Sequence, residues 1–333
     1  MNAFKFKKIP WQKITSLLGI GVLFWLFLQV DITTIFSLWQ TSNKLWILAA
    51  MVVLLFQLSI LTIKWAVLID EKISFSTLFK IRMIGAFFGT ITPANAGTVV
   101  RAHYLKKATG IGFIKTTSSV VLDKLLEITV IAILGIVSIS VLSVLLIDQN
   151  VISGLLATAV ITFALIMAGT VWLLTDKKYG KKALKTLSSL LLPRKVQTIL
   201  KPYFNKVHPH LLSVDKLVLP FILNVAAYAA SYVYVLTLVW AIGAQLDYFH
   251  IFITLPLSSL IALLPITISG IGTREATTVF LWGLFGVTPE QTLAIMLLSF
   301  FIGRGIPTLL GWVFLSNFKP KSSSSPSEPV ATD

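Results

Sequence analysis

The sequence has no cysteine, and only 12% of its residues are Asp, Glu, Lys or Arg. The first absence excludes a disulfide framework, a thiolate metal site, an iron–sulfur cluster and a cysteine nucleophile. The second excludes more, because a soluble domain solvates its surface with roughly a quarter of its residues charged. Here 56% of residues are hydrophobic and the mean hydropathy is +0.87, so the solvent for most of the chain is lipid. Histidine is scarce too, at four residues. The one close pair, His208 and His210, is split by Pro209, which favours an extended loop, and no carboxylate ligand lies nearby. No metal and no cofactor is expected. Catalytic signatures are also missing. Gly110-Ile111-Gly112-Phe113-Ile114-Lys115 only echoes a nucleotide phosphate loop, lacking its hydroxyl and its spacing, and there is no G-x-S-x-G or H-E-x-x-H motif. The longest polar stretch is the 42 residues of 175–216, too short for a soluble catalytic domain. A non-enzyme is expected.

What the sequence does have is long apolar runs. A bilayer core about 30 Å thick needs about 17 to 25 apolar residues in a helix rising about 1.5 Å per residue. Six runs qualify: Ile14 to Val30, Leu45 to Ile63, Thr117 to Ile147, Val151 to Leu174, Leu217 to Ala244, and Gln291 to Leu315. Two further apolar stretches are interrupted. Ile73 to Val100 is broken by a Gly- and Pro-containing piece from Gly89 to Thr98, and Phe249 to Val287 by Pro265 to Glu275. Irregular backbone at membrane depth persists only where protein or trapped water satisfies its amides. Both stretches read as re-entrant hairpins, the second being long enough for two thin spans instead.

The positive charge fixes an orientation. With the N terminus inside, the inner segments hold four Lys or Arg in 1–13, four in 64–82, four in 101–116, ten in 175–216 and two in 316–333. The outer segments hold only Lys44 and Arg274, and Lys124 and Arg304 fall within spans. This is the cytoplasmic excess expected of a multi-pass protein with both termini in the cytoplasm, so the net charge of +15 needs no nucleic-acid partner. The basic loop 175–216 is a cytoplasmic loop that can also attract anionic headgroups. The first run has no small-residue cleavage site after it and is expected to be retained. Residues 317–333, rich in Ser and Pro, are expected to be disordered.

The expected fold class is an all-α polytopic membrane protein. It has a basic cytoplasmic N terminus (1–13), a transmembrane domain (14–316) and a tail (317–333). The two halves, 14–147 and 151–315, each read as span, span, hairpin, span. Three full spans in the first half start the second half on the opposite face, so the repeat is inverted. The broken elements of such repeats hold the substrate of secondary transporters near the midplane.

Candidate headgroup residues therefore lie at the breaks: Pro93, Asn95, Gly97 and Arg101 in the first, and Pro265, Gly270, Gly272, Arg274 and Glu275 in the second. Glycine-loop amides with a guanidinium form a cradle for phosphate or carboxylate. Glycine and proline can equally serve close packing, and Arg101 can snorkel to the inner interface. A second set of charges lies within the spans. Asp123, Lys124 and Glu127 sit about 9 to 15 Å into the third span, and Arg304 about 16 Å into the last. Pairing of Arg304 with Glu127 or Asp123 is predicted. It would serve either as a structural lock between repeats or as a headgroup or proton site.

Several pieces in order, Phe87-Phe88-Gly89-Thr90-Ile91-Thr92-Pro93-Ala94-Asn95-Ala96-Gly97 with Val100 to Leu105, Val121 to Glu127, Ser269-Gly270-Ile271-Gly272-Thr273-Arg274-Glu275-Ala276 and Gly286 to Glu290, carry a resemblance. The chain resembles the flippase-like membrane domain of lysylphosphatidylglycerol synthases across about residues 10 to 316. One departure is Asp123-Lys124, where that family more often has an acidic residue followed by arginine; bidentate pairing is lost with the lysine. The cytoplasmic aminoacyl-transferase domain is absent from the sequence. The resemblance thus implies the lipid-moving half of the activity, in a bacterial or archaeal cell (inner) membrane. The expected partner is an anionic phospholipid or a lipid-linked sugar. Alternatives are a non-transporting partner of an envelope lipid enzyme or glycosyltransferase, and a membrane transferase using Asp123, Glu127 or Glu275 as base.

Overall fold

The computed structural model describes residues 28, 30–90, 92, 97–145, 214–263 and 272–318. Every regular element among them is helical. The first and fourth predicted spans, the basic loop and the tail lie outside the described residues, apart from Leu28 and Val30 at the end of the first span, Val214 to Lys216 at the end of the loop and Asn317 and Phe318 at the start of the tail.

Helix α1 (Ile32–Thr41) starts at Asp31, whose carboxylate accepts from the Thr33 amide at 2.9 Å. Helix α2 (Lys44–Ile69) is capped by Asn43 and ends at Asp70, a left-handed residue with φ 54. That conformation is tolerated by Asp and Asn because the short side chain bonds locally. The first broken stretch forms α3 (Phe75–Thr90) and α4 (Val100–Thr109), and Gly110, with φ 79, stops α4. Helix α5 (Phe113–Leu145) follows, then α6 (Val214–Ile242). The second broken stretch forms α7 (Tyr248–Leu263) and α8 (Thr273–Gly283). Thr288 and Gln291 cap α9 (Pro289–Phe300) reciprocally, and a π-helical turn, Phe301–Gly305, joins it to α10 (Ile306–Ser316).

Four helical segments are long and apolar enough to cross a bilayer: Lys44–Ile69, Lys115–Leu145, Lys216–Ile242 and Pro289–Ser316, of 26, 31, 27 and 28 residues. These are four of the six full spans expected from the sequence. At about 1.5 Å per residue each exceeds the roughly 30 Å hydrocarbon core. Their outward faces are apolar, as on α2, where Leu45, Leu48, Val52, Leu55 and Phe56 are all exposed. Polar side chains turn inward instead, the arrangement lipid requires.

The ends of the helices gather at two levels. At one level Asp70 pairs with Lys216 and Glu71 with Lys115, so the end of α2 meets the starts of α5 and α6. Tyr104 of α4 also packs on Phe318, just past α10, with ring centroids 4.9 Å apart. At the other level the Asn43 amide donates to the Ala241 carbonyl at 2.8 Å, and His250 of α7 lies 4.3 Å from Phe285, between α8 and α9. The most extensive packing is α6 on α2 and α10 on α3. Gly311 makes the second possible, since a side chain there would overlap the Met83 carbonyl.

Candidate functional site

Asp123 is the centre of the polar interior. Among the described residues, its carboxylate is held by cations from three helices: Lys64 of α2 at 2.8 Å, Arg101 of α4 at 2.9 Å and Arg82 of α3 at 3.8 Å. Burial is nearly complete, with side-chain exposures of 2% for Asp123, 1% for Lys64 and 6% for Arg101, against 15% for Arg82. Each cation is fixed by further contacts. Lys64 donates to the Asn224 side-chain oxygen at 2.8 Å, and Asn224 in turn donates to the Leu126 carbonyl at 3.0 Å. Arg82 donates to the Leu61 carbonyl at 3.1 Å. Arg101 donates from Nε to the Thr98 carbonyl at 3.2 Å and lies 4.9 Å over the Trp65 ring, a geometry that attracts a guanidinium to the π face. Gly85 leaves the groove through which Arg101 reaches Asp123; a Cβ there would overlap the arginine's aliphatic stem.

Arg101 therefore does not snorkel to the inner interface. It is turned onto Asp123, where a carboxylate and an aromatic face stabilise its charge at depth. Lys64 and Arg82, grouped by charge counting with the inner loop, also belong to this buried cluster. The signal for Lys64 was its place inside the apolar run from Leu45 to Ile69; ending that span at Ile63 hid it.

Lys124 pairs with Glu127 at 2.8 Å, both half-buried. The predicted pairing of Arg304 with Asp123 or Glu127 is corrected. Among the described residues the carboxylates' ion-pair partners are Lys64, Arg82, Arg101 and Lys124, and local reach explains it: Lys124 is one turn from Glu127, and Asp123 is already surrounded. Arg304 sits in the π-helical turn, 5.5 Å over the Phe300 ring, with Arg274 and Glu275 as its charged neighbours. Such turns recur at functional sites.

At the second break, Gly272 adopts φ 87, open only to glycine without strain, and Glu275 accepts from its amide at 2.7 Å. At the first, the Gly97 amide donates to the Thr92 hydroxyl at 2.7 Å. Both amides are thus engaged within the chain. The Arg274 Nε and the Tyr232 hydroxyl are buried without a hydrogen-bond partner among the described residues. Pro93, Asn95, Pro265 and Gly270 lie outside the described residues.

Two cavities adjoin. The smaller, about 270 Å³, is lined by Arg82, Arg101, Asp123 and Lys124. The larger, about 380 Å³, is lined by Arg274, Glu275, Gln57, Ser231 and three tyrosines, Tyr228, Tyr232 and Tyr234. Glu127, Gly303 and Arg304 line both. The tyrosines, Gln57 and Asn224 escaped sequence reasoning because single polar residues in apolar runs carry no spacing signal. No group of three or more His, Asp or Glu able to hold a metal occurs among the described residues. Chemically, the arrangement can hold an anion against the cationic cluster and a polar, hydrogen-bonding group beside it.

Comparison with known proteins agrees with this architecture. A relative in Methanocaldococcus jannaschii, the UPF0104 membrane protein MJ1595, is 23% identical over 325 residues, covering 92% of this chain and 95% of that protein. The model of the family described as the lysylphosphatidylglycerol synthase TM region matches residues 13–311. This chain belongs to that family of membrane-embedded regions.

Proposed function

We propose that the protein moves an anionic phospholipid or a lipid-linked saccharide between the leaflets of a cell membrane, with the headgroup passing through the two adjoining cavities. The observation that carries this reading is the pairing of cavities. Arg101, from the first broken stretch, lines one, and Arg274, from the second, lines the other; Glu127 and Arg304 lie between. Ionisable groups at this depth are unfavourable unless they face a polar pathway.

The repeat is inverted in this proposal. In support, the first broken stretch starts and ends at the level of Asp70, whereas the second starts and ends at the level of Asn43. The charge bias puts the Asp70 level and both termini in the cytoplasm. Rocking of the two halves would expose the cavities alternately to either face.

The test is leaflet exchange of headgroup-labelled lipids in liposomes holding the purified protein, compared with Arg274→Ala and Glu127→Gln. Selective exchange that is lost in the variants supports translocation. Exchange absent for every lipid, from protein that is folded, rejects it in favour of a non-transporting partner of a lipid-modifying enzyme.

A further inference from the structure

We infer that the lipid carried has a phosphate end bearing at least two negative charges, a phosphomonoester or a diphosphate, and not the single charge of a phosphodiester; this rests on the translocation reading above. The ground is a charge imbalance in the protein itself. Lys64, Arg82 and Arg101 converge on Asp123, leaving two positive charges without a counter-charge among the described residues. Lys124 and Glu127 neutralise each other at 2.8 Å and do not change that surplus. Burying an uncompensated charge is strongly unfavourable, so a further anion would stabilise this cluster in a low-dielectric interior.

The space for that anion is present. Arg82 and Arg101 both line the cavity of about 270 Å³, which at about 30 Å³ per liquid water is room for roughly nine waters. The neighbouring cavity has a different character. With Glu127 already paired to Lys124, its lining leaves Glu275 against Arg274 and Arg304, and its tyrosines, Ser231 and Gln57 supply hydroxyl and amide groups. It suits a neutral, hydrogen-bonding group attached to the phosphate. A headgroup with its own positive charge would gain nothing there, and beside the surplus of cations it would be repelled.

The experiment uses the intact protein in liposomes at about pH 8, where a phosphomonoester is fully ionised. The labelled lipids are phosphatidylglycerol as the phosphodiester, phosphatidic acid and a prenyl monophosphate as monoesters, and a prenyl diphosphate with and without a sugar. A second arm measures binding of the same lipids, and of inorganic diphosphate, to the protein in detergent. Doubly charged lipids are expected to exchange at least about tenfold faster than phosphatidylglycerol, the order expected of one extra unit charge a few ångströms from a cation. Arg82→Gln, which halves the surplus at the most exposed of the three cations, should bring that ratio to within about threefold, and Arg82→Lys should retain it.

Equal or faster exchange of phosphatidylglycerol overturns the inference and leaves translocation standing. Tight binding of doubly charged lipids without any exchange keeps a doubly charged phosphate end as what the cluster binds and rejects translocation. Binding of inorganic diphosphate as tight as that of any lipid overturns the assignment of a lipid and makes a soluble anion the ligand. A ratio unchanged in folded Arg82→Gln also overturns it.

Discussion

Replacing Asp123 by asparagine removes one negative charge and almost no volume, and it isolates what holds the cluster together. At an effective dielectric constant of about 20, contacts of 2.8, 2.9 and 3.8 Å between unit charges each correspond to about 4 to 6 kcal/mol of gross attraction. Much of that is offset by desolvation. Removing one partner of a buried ion pair nevertheless costs about 3 to 5 kcal/mol, because the cations left behind stay out of water. For a folded state stable by about 5 to 15 kcal/mol this is a large fraction. The expected result is a fall in the melting temperature of the detergent-solubilised protein of about 10 °C. Glu127→Gln is the internal control: its partner Lys124 is half-buried, at 38% exposure. A pair with that much exposure contributes about 0 to 1 kcal/mol, so the melting temperature should move by no more than about 2 °C. If Asp123→Asn melts within about 2 °C of the wild type, the cluster is not a buried electrostatic unit and the reasoning fails.

Other consequences follow from single positions. Gly85→Val places a side chain where the Arg101 stem runs; overpacking of about 1 to 3 kcal/mol is expected, with Arg101 displaced from Asp123 and lipid exchange reduced along with the melting temperature. Gly272→Ala forces a φ of 87 on a residue with a Cβ. It should cost about 1 to 2 kcal/mol in thermal unfolding while leaving the Asp123 cluster untouched. Hydrogen bonding to Lys216 holds the Asp70 carboxyl below its ordinary value of 3.8. A depressed carboxyl contributes stability that is present above the unfolded value and is lost as pH falls through the folded one. The difference in melting temperature between wild type and Asp70→Asn should therefore be constant above about pH 5 and shrink below it; a difference that grows on acidification would contradict the pairing.

The sequence made the spans legible because a bilayer imposes a length, and runs such as Leu217 to Ala244 meet it without ambiguity. It also marked both interrupted stretches, since glycine and proline at depth are unusual enough to locate α3–α4 and α7–α8. Partnership was harder to read. Asp123, Lys124 and Glu127 stood out as charges in an apolar run, but their partners come from α2, α3 and α4, and no spacing along the chain encodes a contact between Lys64 and Asp123 across 59 residues. Depth alone paired Arg304 with Glu127. In the fold they line the same two cavities, while Glu127 is satisfied by Lys124, a neighbour three residues away. Gly85 gave no signal at all, because its role is defined only by the arginine that crosses it.

The central claim is that a lipid headgroup crosses the membrane through the paired cavities. The most direct measurement is the rate at which a labelled anionic lipid moves between leaflets in sealed liposomes, with protein present and absent. The account predicts protein-dependent exchange that depends on the headgroup and disappears when Arg274 is replaced. Exchange no faster than in protein-free liposomes, for every headgroup and with the protein folded and inserted, would contradict it.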